Sequence, residues 1–226
     1  INQEYSVPYF WGTLGIVYNT TMVDEPVESW DILWNEKYER NIIMLDSSRD
    51  SLAVALARKG HSINSKDEKE LEEAKNDLTT QYPLVYAYLV DQTKDIMKNN
   101  EAAMAVMFSG DALDALLYNE DLAYAIPKEG SNLWFDCFAV PVNAKHKENA
   151  EAFINFMMRP EIAAMNAEWV GYSLPSTEGR MLTSEDYRDS EVAYPPLEAI
   201  KDLEVFHHPG DFIEVYDQIW QDVKNQ

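Results

Sequence analysis

The sequence predicts an α/β fold, and three observations carry that prediction. Apolar runs of strand length recur, at 41–45 (Asn-Ile-Ile-Met-Leu), 102–108 and 122–126. An unbroken apolar run this short suits a strand covered on both faces, as in a parallel sheet. Two of the runs lead straight into helix-start signals: Asp46-Ser47-Ser48-Arg49-Asp50 after the first, Ser109-Gly110-Asp111 after the second. Strands and helical patterns alternate along the chain, with no internal repeat, low-complexity run or Pro/Gly-rich linker.

Taken in order, 7–11 and 15–19 read as two short strands, with Gly12 and Gly15 marking bends or a close backbone approach. Ser29 caps a short helix over 30–35. The helix after the 41–45 strand covers 51–59. Asp46 or Ser47 is its cap, Arg58 and Lys59 suit its C-terminal end, and Gly60 stops it. Residues 67–81 form a charged surface helix with solvated charges and a narrow stripe of Leu71, Ala74 and Leu78. Residues 83–99 read as one or two helices. The 102–108 strand places Phe108 at its end, ahead of a helix over 112–118, and Pro127 closes the 122–126 strand. Helices follow at 147–158, with Ala150, Phe153, Ile154 and Met157 on one side, and from Pro160 to Gly171. A loop from Tyr172 to Pro175 comes next, then short helical pieces at 184–188 and 195–201 and a strand-like 204–207. The closing helix, 211–224, lines one face with Phe212, Val215, Ile219 and Val223.

The stretch richest in chemistry is 130–141, Gly-Ser-Asn-Leu-Trp-Phe-Asp-Cys-Phe-Ala-Val-Pro, a strand opened by Gly130 and stopped by Pro141. Alternation puts Trp134 and Asp136 on one face. An acid in so apolar a run needs a cation or hydrogen-bond donors to meet it. The indole attracts a cation by about 0.5–2 kcal/mol, and the carboxylate takes its charged hydrogen bond. The other reading is a structural Asp bonded to a nearby loop, with Trp134 in the core. Asp50, in the first turn after a strand, stands where open α/β sheets present ligand groups, or is a solvated helix-start acid. Ser47 and Arg49 share that ambiguity, and Tyr172 is a binding tyrosine or a rim aromatic.

The 226 residues suffice for one large or two small domains. Forty acids against 18 Lys and Arg give a formal charge of −22, which removes nucleic acid as the default partner and suits either cation attraction or plain solubility. A single cysteine, Cys137, allows no internal disulfide; it faces away from Asp136 and reads as a small buried apolar group. No apolar run of membrane-spanning length occurs. The start at Ile1 reads as a processed chain or a fragment. No P-loop, dinucleotide fingerprint, HExxH, CxxC or nucleophile elbow appears, and neighbours His207 and His208 diverge on a strand.

Taken together, Val7-Pro8-Tyr9-Phe10-Trp11-Gly12, Ser29-Trp30-Asp31-Ile32-Leu33-Trp34, Leu45 through Asp50, Lys128-Glu129-Gly130 through Asp136, Pro141 through Lys145, Phe153 through Phe156 with Arg159-Pro160, and Gly171-Tyr172 resemble the spermidine/putrescine-binding proteins. These are extracytoplasmic solute-binding components of polyamine ABC importers. The resemblance runs through nearly the whole chain in order. It implies an α/β, periplasmic-binding-protein-like (type II) two-lobed fold, with hinge strands crossing between lobes. Family members carry roughly a hundred further residues ahead of Tyr5, so the resemblance implies one lobe largely complete (14–135 and 188–226) and the other truncated (1–13 and 136–187).

It further implies a polyamine ligand, a membrane permease as partner, no cofactor and no catalysis, in the periplasm or at the cell surface as a lipoprotein. By position, Asp136 resembles the acid meeting an amine at the ligand's centre, Trp134 the ring beside the methylenes, Asp50 the acid holding a terminal amine, and Tyr172 a binding tyrosine. Three positions depart: Ser47 stands for a second acid, Phe108 for a tryptophan and Phe206 for a glutamine, which leaves the choice between spermidine and putrescine open. The alternatives are a solute-binding relative for another ligand, and an enzyme on the same scaffold using Cys137 or a carboxylate. Iron binders of this class use adjacent tyrosines, absent here, and an anion would be repelled by Asp50 and Asp136.

Overall fold

The computed structural model describes residues 5–225. Residues 1–4, the start of the expected 1–13 segment, and residue 226 lie outside the described residues. Six strands form one mixed sheet: β1 (Val7–Asn19), β2 (Ile42–Leu45), β3 (Val85–Leu89), β4 (Met104–Phe108), β5 (Leu122–Ala125) and β6 (Leu133–Phe138). The order is β3-β2-β4-β1-β5, with β6 also paired to β1. β2 runs parallel to β3 and β4, while β1 is antiparallel to β4, β5 and β6.

The period-two pattern of the strands sorts their side chains into two cores. Leu14, Ile16, Ile42, Met44, Met104 and Val106 face α1 (Ser48–Arg58), α2 (Glu68–Gln81) and, at the far end of the chain, a long closing helix. Val17, Ile43, Ala105 and Met107 face the opposite way, toward α3 (Thr93–Lys98) and α4 (Ser109–Tyr118). The sheet is therefore covered on both sides, as the unbroken apolar runs required.

The remaining helices are α5 (Lys147–Met157), α6 (Pro160–Val170), α7 (Thr177–Met181), α8 (Glu185–Arg188), α9 (Leu197–Ile200) and α10 (Phe212–Lys224). A third, smaller cluster joins Phe10 and Leu113 to Ala163, Ala167, Leu174, Tyr187 and Ala193. Among the described residues no helix is long and apolar enough to cross a membrane.

Several expectations change. Residues 7–19 are one 13-residue strand, not two. Its glycines serve close approach: a Cβ on Gly12 would lie 2.4 Å from the Trp134 indole, and one on Gly15 would lie 2.5 Å from the Tyr124 ring. Residues 85–89 are a strand rather than helix, because Val-Tyr-Ala-Tyr-Leu pairs as the edge strand alongside β2. Not all charges of α2 are solvated: Asp77 is buried, accepting two bonds from Arg58 Nη1 at 2.5 and 2.7 Å and pairing with Lys59. The 204–207 segment is no strand, since its one bridge joins Glu204 to Asn132. The buried face of α10 is rotated to Tyr216, Ile219, Trp220 and Val223, leaving Val215 exposed. Cys137 is exposed rather than buried.

Candidate functional site

The site forms where β1 changes partners. Its C-terminal half pairs with β4 and β5, and its N-terminal half with β6, so that Leu14 lies opposite Phe108, Gly12 opposite Trp134 and Phe10 opposite Asp136. Paired residues share a face of the sheet. One face thus carries Phe108, Trp134 and Asp136 in a row, and the missing side chain of Gly12 makes room for the indole. The approach to β6 is fixed from behind. Gly130 takes a left-handed φ of 101°, its carbonyl accepts from Trp30 Nε1 at 2.8 Å, and Ser131 Oγ donates to the Leu14 carbonyl at 2.7 Å.

Over this row lies a cavity of about 330 Å³ lined by Arg49, Asp50, Phe108, Asn132, Trp134, Asp136, Tyr172 and Phe206. Seven of the eight residues singled out from sequence are among these; the eighth, Ser47, stands behind Asp50. Ser47 is the N-cap of α1, and its Oγ also donates to Asp50 Oδ2 at 2.6 Å. Asn132 was missed. The signal was available, since 132, 134 and 136 alternate onto one face, but a neutral amide does not announce itself in an apolar run. Its Oδ1 is buried without a hydrogen-bond partner.

The rings meet edge to face: Phe108 and Trp134 have centroids 6.0 Å apart at 83°, Trp134 and Tyr172 4.9 Å apart at 78°. Tyr172 follows Gly171, whose φ of 91° ends α6. Its ring lies over Gly110 at the start of α4, where a Cβ would come within 1.7 Å of it. Its hydroxyl donates to Asp111 Oδ2 at 3.3 Å.

The two carboxylates differ in setting. Asp136 is exposed, and among the described residues no lysine or arginine pairs with it. It is not a structural acid neutralised within the protein. The apolar surface beside it removes enough water to raise its pKa. Asp50 is half-buried rather than a solvated helix-start acid. Burial raises its pKa, against the opposing pull of the Ser47 hydroxyl and the Arg49 charge. Arg49 itself stacks on Phe206, and Phe206 reaches the cavity from irregular backbone. A larger hollow, about 590 Å³, lies elsewhere, between the start of β1 and α5, and its one acid, Glu151, is already paired with Lys147. Among the described residues no three His, Cys, Asp or Glu side chains gather to hold a metal.

Residues 2–193 match the family described as bacterial extracellular solute-binding protein. This chain belongs to that family. The spermidine/putrescine-binding periplasmic protein of Escherichia coli (strain K12) is 34% identical over 224 residues, 99% of this chain and 64% of that protein. The chain thus spans just under two thirds of the length of the curated relatives it matches. Two solved structures agree in fold. PotD, the spermidine/putrescine ABC transporter substrate-binding protein of Streptococcus pneumoniae, has a TM-score of 0.87 at 42% identity, over 99% of this chain and 69% of that one. The Tp0655 (TpPotD) lipoprotein of Treponema pallidum has 0.85 at 25%, over 100% and 70%. The architecture is accordingly periplasmic-binding-protein-like, built on a mixed α/β sheet.

Proposed function

We propose that this chain is the larger part of an extracytoplasmic solute-binding protein that delivers polyamines to the membrane permease of an ABC importer. The observation that carries the reading is the cavity itself: two acids, Asp50 and Asp136, with four rings, Phe108, Trp134, Tyr172 and Phe206, in one hollow. Ammonium groups are held by charge-assisted hydrogen bonds to the carboxylates, and the methylenes between them lie against the rings. Among the described residues Asp136 has no cation to displace, so its raised pKa is relieved when an ammonium arrives. The names of the relatives point the same way. The bacterial extracellular family places the protein outside the cytoplasm.

The lobe division expected from the resemblance is part of this proposal. Residues 14–135 and 188–226 make one lobe around the doubly covered sheet; 1–13 and 136–187 belong to the second. One observation supports it: α5 buries none of its residues; the small cluster around Phe10 and Ala163 takes in Leu113 and Ala193 of the first lobe and so lies across the junction. Tyr172 and Asp136 of the second lobe then meet Asp50, Phe108 and Trp134 of the first at the junction, and lobe closure over the ligand signals to the permease.

No residue is assigned a catalytic role. Thiol labelling does not separate an enzymatic reading from a binding one, because Cys137 is exposed and reacts in either case. Calorimetry does. The full-length protein is expected to bind 1,4-diaminobutane or spermidine, and Asp136→Asn to weaken that binding at least thirtyfold, since an unpaired partner of a buried charged hydrogen bond costs about 2–5 kcal/mol. Absence of heat with both amines would end the proposal. The 226-residue chain alone is expected to bind weakly or not at all; micromolar affinity in that piece contradicts the two-lobe division.

A further inference from the structure

Asp111 lies outside the cavity lining, yet it holds one of the rings that form it. It sits in the first turn of α4, where the helix dipole favours an acid. Its two oxygens are divided. Oδ1 accepts from Lys94 Nζ of α3 at 3.4 Å, and Oδ2 accepts from the Tyr172 hydroxyl at 3.3 Å. Lys94 also pairs with Asp114 at 3.2 Å, so its ammonium is fixed between two acids on one face of α4. In the lobe division above, Lys94 and Asp111 belong to the first lobe and Tyr172 to the second. The two backbones approach closely here: a Cβ on Gly171 would lie 3.0 Å from the Gly110 carbonyl oxygen.

The loop that carries Tyr172 is held separately, from within the second lobe. The Tyr172 carbonyl accepts from the hydroxyl of buried Tyr187. Trp11 bonds the next two residues, its N to the Ser173 carbonyl at 3.0 Å and its Nε1 to the Leu174 carbonyl at 3.1 Å. Asp111 holds the far end of the side chain from across the junction. A phenol has one proton to donate. Burial first, and then the Asp111 charge, raise the Tyr172 pKa, so the proton stays on the oxygen and is committed to Asp111. The ring meanwhile stays edge-on to Trp134 at 4.9 Å. Without Asp111 the proton is free to turn to another acceptor, and the charge of Asp136 also reaches Tyr172. An Asp136 that accepts from Tyr172 is a poorer anchor for an ammonium.

We infer that Asp111 is a positioning residue of the amine site: holding the Tyr172 hydroxyl from across the lobe junction, it keeps that ring in place and leaves Asp136 open to the ligand. The inference rests on the cation-binding reading above. Calorimetry on the full-length protein with 1,4-diaminobutane tests it. Asp111→Ala is expected to weaken binding about fivefold, the size of one net hydrogen bond. Asp111→Asn keeps an acceptor but loses the charge and the Lys94 ion pair, and it is expected to recover most of that affinity. In a Tyr172→Phe background, Asp111→Ala is expected to change affinity by less than about 1.5-fold, because both substitutions act through one hydroxyl. A merely structural loss at the start of α4 would persist in that background. If Asp111→Ala is unfolded by circular dichroism, the shorter Asp111→Ser is read in its place with the same expectations. Affinity unmoved by Asp111→Ala, equal losses in the Ala and Asn variants, or a full loss in the Tyr172→Phe background overturns this inference while the polyamine reading stands. Silence of the unaltered protein toward both 1,4-diaminobutane and spermidine overturns that reading and the inference with it.

Discussion

Helices α1 and α5 are each 11 residues long, and they met opposite fates. α1 buries seven consecutive residues, from Ser51 to Ala57, between the sheet and α2. α5 has the clearer amphipathic pattern in its sequence and buries none; Phe153 and Phe156 stay 54% and 43% exposed. Periodicity tells that a helix has an apolar face, and only the neighbouring elements determine whether that face is covered. The region around the sheet is complete in this sense. The region around α5 and α6 holds one small cluster, tied to the rest through Phe10 and Leu113.

The largest expected contrast is in stability. Leu56→Ala, in the fully buried centre of α1, should cost about 2–5 kcal/mol in urea denaturation. A loss below about 1 kcal/mol there would mean that the sheet core is far looser than its burial indicates. Next comes the seam between the two regions. Gly110→Ala puts a methyl into the Tyr172 ring and should cost about 1–3 kcal/mol. It should also weaken amine binding in the full-length protein, since Tyr172 has to move; unaltered stability and affinity would show that the seam is not packed as described.

A pH series examines the acids of the cavity. Loss of water raises the folded pKa values of both, by burial at Asp50 and by the neighbouring apolar surface at Asp136. Their contribution to ligand-free stability is therefore present below the unfolded value of about 4 and lost as pH rises through the folded values. Amine affinity must run the other way, rising over the same window as the acids ionise. Calorimetry at about pH 4.5 and pH 7 in two buffers should show weaker binding and proton release at the lower pH. Equal affinity and no proton release would remove both acids from ligand contact. The smallest effect is expected at Phe153→Ala on α5, below about 1 kcal/mol despite its edge contact with Phe138. A larger loss would show that α5 contributes to stability through contacts its exposure hides.

Much of the cavity could be read in advance because its residues sit on regular elements. Trp134 and Asp136 follow from alternation on β6, Asp50 from the first turn of α1, and Phe108 from the end of β4. Phe206 is reached only through the family resemblance, since it lies in no periodic element; Tyr172, just past the end of α6, stands out from sequence as a binding tyrosine or a rim aromatic, and local pattern does not choose between the two. Asn132 was passed over although alternation reached it. The edge strand β3 reads as helix from sequence because a short tyrosine-rich run has no period of its own, and its identity comes from pairing with β2. Cys137 was placed inside because free cysteines usually are; β6 has one face on the cavity and leaves the other open.

By itself the sequence determined that β2 and β4 are strands feeding helices, that the sheet must be covered on both faces, and that an acid and an indole share a strand face. Those properties are local: they depend on periods of 2 and 3.6 and on caps such as Ser29, Ser47 and Asp67. Only the tertiary structure decided that 7–19 is a single strand whose partner changes halfway, that Gly12 and Gly110 give way to the Trp134 and Tyr172 rings, and that Arg49 reaches across to Phe206. Those contacts join residues dozens of positions apart, and no local pattern encodes which distant neighbour will arrive.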